Sequence, residues 1–449
     1  MVTKTAAEIE IALQRMVTIY VVTGLLFLLL PGTFLGVWNL VSISGQHALG
    51  GLSRAWLQAH GHAQIFGWLG TFIIGIGYYS LSKMGGLKPV AVSRGWTSWA
   101  LWTGGVGLRW AANVSEFHWR LLLPLSAVLQ LVAFLIFFAT VSRHKAEPGS
   151  TKRAVIETWM KLVIAATVAF LIALLVNQVE TVVLALTAAH PEIPHWLDQR
   201  YLFLAAWGFP VLAVWGFNAK WLPIFLGLRE PSSTGLMAAL AISAADLTAA
   251  SFGYLRLATL LLLAASIVAT IALNIFAKPR KPAKTLGVSA SFPSFVRSAY
   301  VWLLIAAALG VYAALDDTKG GIWGASRHAL TVGFLSTMVF AIGQRVLPAF
   351  CGMRLLYSKG LMWTSLTALN IGCLLRVASE IPAYEANLQA AWRILPVSAI
   401  TELTAVTLFA INIGITLILP PPQPAVIRPA KIRPFRTLYE PQALIAPDH

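Results

Sequence analysis

The chain has 449 residues, 58% of them hydrophobic and 11% charged, with a mean hydropathy of +0.74. A soluble domain carries about 25% charged residues, so no soluble domain hides here and the chain reads as an all-α polytopic membrane protein. The net charge of +16 reflects basic cytoplasmic loops rather than nucleic-acid binding, and two cysteines, Cys351 and Cys373, exclude a disulfide scaffold or a zinc ribbon.

Every apolar run is continuous rather than alternating, which predicts helices and not a barrel. Against a requirement of about 20 residues per crossing, twelve transmembrane helices are predicted. They fall at 16–38, 59–82, 95–112, 119–141, 158–187, 200–226, 234–249, 254–277, 298–315, 323–346, 360–378 and 388–419. The first run is too long and too poorly flanked for a cleavable signal. The seventh is short and contains Asp246. Residues 1–419 therefore form one transmembrane domain, and the basic, Pro-rich 420–449 is expected to be a disordered cytoplasmic tail. With the N-terminus placed inside, 23 Lys and Arg fall on the cytoplasmic side and 9 outside. That asymmetry predicts both termini in the cytoplasm. Eight of the nine outer residues are Arg, the side chain that binds planar carboxylates bidentately.

Span two opens on His60 and His62 in RAWLQAHGHAQIFGWLGTFIIGIGYYSL, uncharged from Ala55 to Ser82. Span ten answers it with SRHALTVGFLSTMVFAIGQRVL. With His62 placed on His328, Ala63/329, Gly67/333, Leu69/335, Thr71/337, Ile76/342, Gly77/343 and Leu81/347 all match at an offset of 266. Span six gives a weaker copy: LPIFLGLR (222–229) matches LPAFCGMR (347–354) at an offset of 125. Spans two, six and ten thus correspond, four helices apart, which predicts a pseudo-threefold arrangement of four-helix units. Phe203 takes the histidine position in the middle unit, so binding belongs between units one and three.

An intramembrane histidine is costly unless it binds something. Two neutral imidazoles on facing helices can ligate one haem iron axially. His60 and His62 lie about 200° apart around a helix, so they cannot share one site. One would ligate iron, and the other would meet a second metal, a propionate or a polar cavity. Arg54, Arg327 and Arg376 stand at the right depth to neutralise propionates. The plainer reading is structural histidines bonded to carbonyls between helices. His118, in EFHWR, reads as an interfacial residue beside Trp119 and is a further candidate copper ligand. His144, His190 and His195 read as loop residues. Glu180, Asp246 and Glu402 fall inside spans, as proton carriers, partners for the arginines or neutral helix locks. GTFIIGIG reads as helix packing, and no phosphate loop or nucleophile–base motif is present.

His60-x-His62-x-x-x-Phe66-Gly67, together with Arg327-His328-Ala329-Leu330-Thr331-Val332-Gly333, resembles the NnrS family of bacterial membrane proteins linked to the nitric oxide response. The same spans look like distant relatives of haem-copper oxidase and nitric oxide reductase catalytic subunits. The resemblance implies haem b, one or two, held by axial histidines from spans two and ten. It also implies copper as a second metal, a quinol or cytochrome c as electron donor, and the bacterial inner membrane. In the oxidase pattern the span-two ligand lies six residues before the Phe of an Ile-Phe pair, here Ile65-Phe66, which selects His60; the internal repeat favours His62. The first histidine of the oxidase span-ten motif is Ser326 here, and the copper-site histidines have no counterpart beside Trp207, Asn218 and Asp246. Gln344-Arg345 also departs from the ending associated with NnrS. The reading from sequence is a haem-binding membrane protein for nitric oxide response or respiratory electron transfer. The rivals are a secondary transporter and a non-catalytic haem subunit of a redox complex.

Overall fold

Inside a bilayer every backbone N–H and C=O must be satisfied within the protein, and a helix does this within one segment. The computed structural model describes residues 6–48, 52–83, 91–142, 156–352 and 355–419, and all regular structure among them is helical. The expected tail, 420–449, and Arg354 lie outside the described residues.

The helical segments join end to end into rods: α1 (6–46), α2 (54–83), α3 (Val92–Ser115), α4 (Trp119–Ser142), α5 (Thr158–Thr187), α6 (195–226), α7 (Ser233–Ser251), α8 (Leu255–Ala272), α9 (Phe292–Asp316), α10 (321–350), α11 (Lys359–Tyr384) and α12 (Gln389–Ile418). Ten of them are long and apolar enough to cross a membrane. The other two are α2, which opens on Arg54, Gln58, His60 and His62, and α3, which carries Arg94, Arg109 and Asn113. Most rods outrun the spans predicted for them. α11 continues past residue 378 because Arg376 pairs with Glu380 one turn on, so the charges need not leave the helix. Ser232 and Ser358 cap α7 and α11, each accepting a backbone N–H three residues ahead.

Each rod packs on the next, and α12 closes against α1. Within this ring, α6 and α10 are drawn inward: 83% and 61% of their most apolar stretches are buried, against 33–44% for the other eight crossing helices. α2, α6 and α10 share one build, an α-helix interrupted by a π-helical turn, at 63–70, 203–211 and 329–336. The α6 turn touches the turns of both α2 and α10. In α2 and α10 the π-turn starts directly after His62 and His328, the residues that the repeat aligns. The α6 turn holds nine residues where the other two hold eight. The 125-residue offset therefore holds beyond the turn and becomes 126 before it, so His328 corresponds to Phe203 from one end and to Leu202 from the other. A further π-turn, 28–34, surrounds Pro31 in α1.

Aromatic rings and glycines set the close approaches. A Cβ on Gly75 would lie 2.5 Å from Tyr20 Cβ, so only glycine lets α1 and α2 pack this tightly. Trp68 meets Phe340 edge-on at 6.0 Å, and Phe340 stacks on Phe409 at 3.8 Å. These contacts tie α2 to α10 and α10 to α12, beside the candidate site.

Candidate cofactor site

A cavity opens between α1, α2, α10, α11 and α12, with about 950 Å³ of empty space including solvent at its mouth. Its wall is mostly apolar: Leu28, Val37, Leu40, Ile43, Leu57, Ile65, Trp68, Leu69, Val332, Leu369 and Val406. Four ionisable side chains reach it: His60 from α2, His328 from α10, Arg376 from α11 and Glu402 from α12. The π-turns matter here. Such turns frequently mark functional sites, and those of α2 and α10 place Ile65, Trp68, Leu69, Thr331, Val332 and Ser336 on the wall. The hydroxyls of Ser336 and Thr337 bond back to carbonyls five residues earlier, and Thr71 bonds to Gly67 O, satisfying carbonyls that the wider turn frees.

Both histidines are oriented by their Nδ1 atoms. His60 Nδ1 lies 2.8 Å from Gly32 O, at the π-turn of α1. The ring nests against Gly36, where an added Cβ would lie 2.6 Å from its Cε1. His328 Nδ1 lies 2.9 Å from Gly324 O and 3.2 Å from Glu380 Oε2. Facing acceptors only, each Nδ1 carries the proton, and Nε2 remains as the lone-pair nitrogen. Neither Nε2 makes a hydrogen bond among the described residues. A metal-ligating histidine is set up in this way, its second nitrogen donating to a carbonyl or carboxylate.

Arg376 donates to Glu380 through Nε and Nη2, both at 3.1 Å. Its Nη1 is buried without a partner among the described residues, as is Glu402 Oε1. A guanidinium N–H left over at a cavity wall fits a further anionic oxygen.

The other residues singled out from sequence lie elsewhere. His62 is buried, its Nε2 3.0 Å from the Gln130 amide and its ring stacked on Phe66 at 4.4 Å. Arg54 is exposed at the start of α2. Arg327 is half-buried with Nη2 unpartnered among the described residues, and neither arginine lines the cavity. His118 is exposed in the turn before α4, with φ of 43°, and its carbonyl caps that helix. No group of three or more His, Cys, Asp or Glu side chains that could hold a metal ion forms among the described residues. Glu180 is buried on α5, close in the chain to Asn177, which accepts from Arg109 at 3.0 Å. Asp246 is buried on α7 with both oxygens unpartnered among the described residues. Sequence reasoning missed Glu380. Its signal was there, an Arg-x-x-x-Glu pair one turn apart, but the predicted span stopped two residues short of it.

The chain superposes on a haem-copper terminal oxidase, determined by cryo-EM as a dimer, over 94% of this chain and 86% of that one, with a TM-score of 0.54 and 13% sequence identity. The fold is that of a haem-copper oxidase. No family model and no curated protein matches the chain by sequence. Ser326 and Asn218, both singled out in the sequence reading, tie helices together. Ser326 Oγ donates to Ala306 O at 2.8 Å, and Asn218 Nδ2 donates to the Tyr300 hydroxyl at 2.8 Å.

Proposed function

We propose that the cavity holds one b-type haem with His60 and His328 as axial ligands, in a membrane protein of twelve crossing helices built as three four-helix units. The observation that carries this is the pair of imidazoles. They come from α2 and α10, face one largely apolar cavity and are fixed by Nδ1 with Nε2 free. Haem bound by two histidines is a low-spin, electron-transferring group. The chain's own residues do the rest. Gly32 O and Gly324 O hold the two rings in one tautomer, Gly36 leaves room for the His60 ring, and the free Nη1 of Arg376 takes a propionate oxygen. The aliphatic wall and Trp68 exclude water. His62, committed to Gln130, serves packing in this reading. Arg54 and Arg327 lie off the cavity wall and take no propionate in this reading.

A haem held by both His60 and His328 would supply electron transfer rather than a binding position for a gaseous substrate. The site would then serve respiratory electron transfer, fed by a quinol or cytochrome c, or a nitric oxide response of the NnrS type, in a bacterial inner membrane. Copper has no comparable set of side chains among the described residues. The test is the absorption spectrum of purified, haem-replete protein, oxidised and dithionite-reduced. A low-spin haem b spectrum that disappears in His328→Ala is expected. A protein with no Soret band would end the proposal and put the secondary-transporter reading first.

A further inference from the structure

Glu380 is a carboxylate with two tasks. It takes both Nε and Nη2 of Arg376, and its Oε2 also lies 3.2 Å from His328 Nδ1. The group is buried on α11, and a carboxylate held by a bidentate guanidinium keeps its charge. Its approach to α10 depends on Gly324, where a Cβ would lie 2.2 Å from Glu380 Oε1. His60 differs: its Nδ1 faces only the neutral carbonyl of Gly32. The two rings of the cavity are thus unequal, one backed by a charge and one by a dipole.

We infer that Glu380 is a positioning residue that acts through His328 to set the reduction potential of the haem proposed above, on which reading it rests. A ligand imidazole whose Nδ1–H is drawn toward a carboxylate is the stronger donor, and a stronger donor favours the oxidised metal. The negative charge beside the ring works in the same direction. Arg376, the counter-charge, works in the other. Glu380 therefore lowers the potential and Arg376 raises it, although the two side chains touch.

The experiment is a spectroscopic redox titration of full-length, haem-replete protein, with electron paramagnetic resonance of the oxidised form. Glu380→Gln keeps an acceptor for the ring but removes the charge. It is expected to retain haem, to raise the reduced-to-oxidised ratio at fixed ambient potential about tenfold, or about 59 mV for one electron, and to shift the low-spin signal toward a weaker donor. Glu380→Asp is expected to return part of the way. Arg376→Ala is expected to move the potential downward. A merely structural role would shift both variants the same way. Should Glu380→Gln fail to assemble, Gly324→Ala pushes the carboxylate off the ring while keeping its charge, and the same weakening of the low-spin signal is expected. Haem-loaded Glu380→Gln or Gly324→Ala with the unaltered potential and signal overturns the inference and leaves the haem reading standing. Absence of haem from the unmutated protein overturns both.

Discussion

His60 and His62 differ by two positions, and their replacement should have opposite consequences. His62→Ala removes a ring that is 7% exposed, stacked on Phe66 and 3.0 Å from the Gln130 amide. The lost hydrogen bond is worth about 1 kcal/mol and the ring pair about 1 kcal/mol more. A void in a packed wall adds to that, for a total destabilisation of about 3 kcal/mol, within the usual large-to-small range. Gln130 would also be left with no partner at either end of its amide, since its Oε1 already has none among the described residues. The haem spectrum should nevertheless be unchanged. His60→Ala takes a half-buried ring from the cavity wall, where it rests on Gly36 and is bonded to Gly32 O. Its stability cost should be the smaller of the two, while the low-spin bands are lost. The assay is thermal unfolding of detergent-solubilised protein by far-UV circular dichroism, beside the visible spectrum of the same samples. Loss of the low-spin bands in His62→Ala, with their retention in His60→Ala, would refute the assignment.

Gly75→Leu should lower thermal stability by about 1–3 kcal/mol, the usual cost of overpacking, because Tyr20 occupies the space a side chain needs; an unchanged melting curve would argue against the α1–α2 packing. Glu385 lies just beyond α11. Burial pushes its carboxyl up, but hydrogen bonds from Thr318 Oγ1 and from the N–H groups of Gly321 and Lys319 outweigh this and hold it below the ordinary carboxylate value. Its stabilisation is therefore fully present above the unfolded pKa, about 4.3, and is lost as pH falls through the lower folded value. Glu385→Gln should melt earlier than the parent at pH 7, the gap closing in acid; a gap independent of pH would contradict this. A reporter fused after Leu419 should behave as cytoplasmic, and activity of a reporter that works only in the periplasm would reverse the orientation.

The helical class of the fold was legible because continuous apolar runs leave no other solution in a bilayer. The repeat read from the sequence fell on three helices that each carry a π-turn, α2, α6 and α10. Helix ends were less legible. α1 begins ten residues before the predicted residue 16, and α11 ends six beyond 378, since charged or polar turns continue a helix once partners exist. The π-turns left no mark in composition, because one inserted residue alters phase and not hydropathy. For the same reason sequence could not choose between His60 and His62. The choice depends on where the α2 helix sits about its own axis, which its packing on α1 and α3 sets. Glu380 was lost with the truncated end of α11.

The π-turns give this architecture a rotary adjustment. Each residue added to or removed from a helix turns everything on one side of the change by about 100° against the other, while the far half stays anchored. Deleting one residue from 63–70 would bring Ala59 to the place of His60, and the same deletion in 329–336 would bring Arg327 to that of His328. The longer turn of α6 is such a step already taken, at the position where neither Leu202 nor Phe203 can hold a metal. On the haem reading proposed above, a single-codon insertion or deletion in such a turn would therefore add or remove a histidine at the cavity.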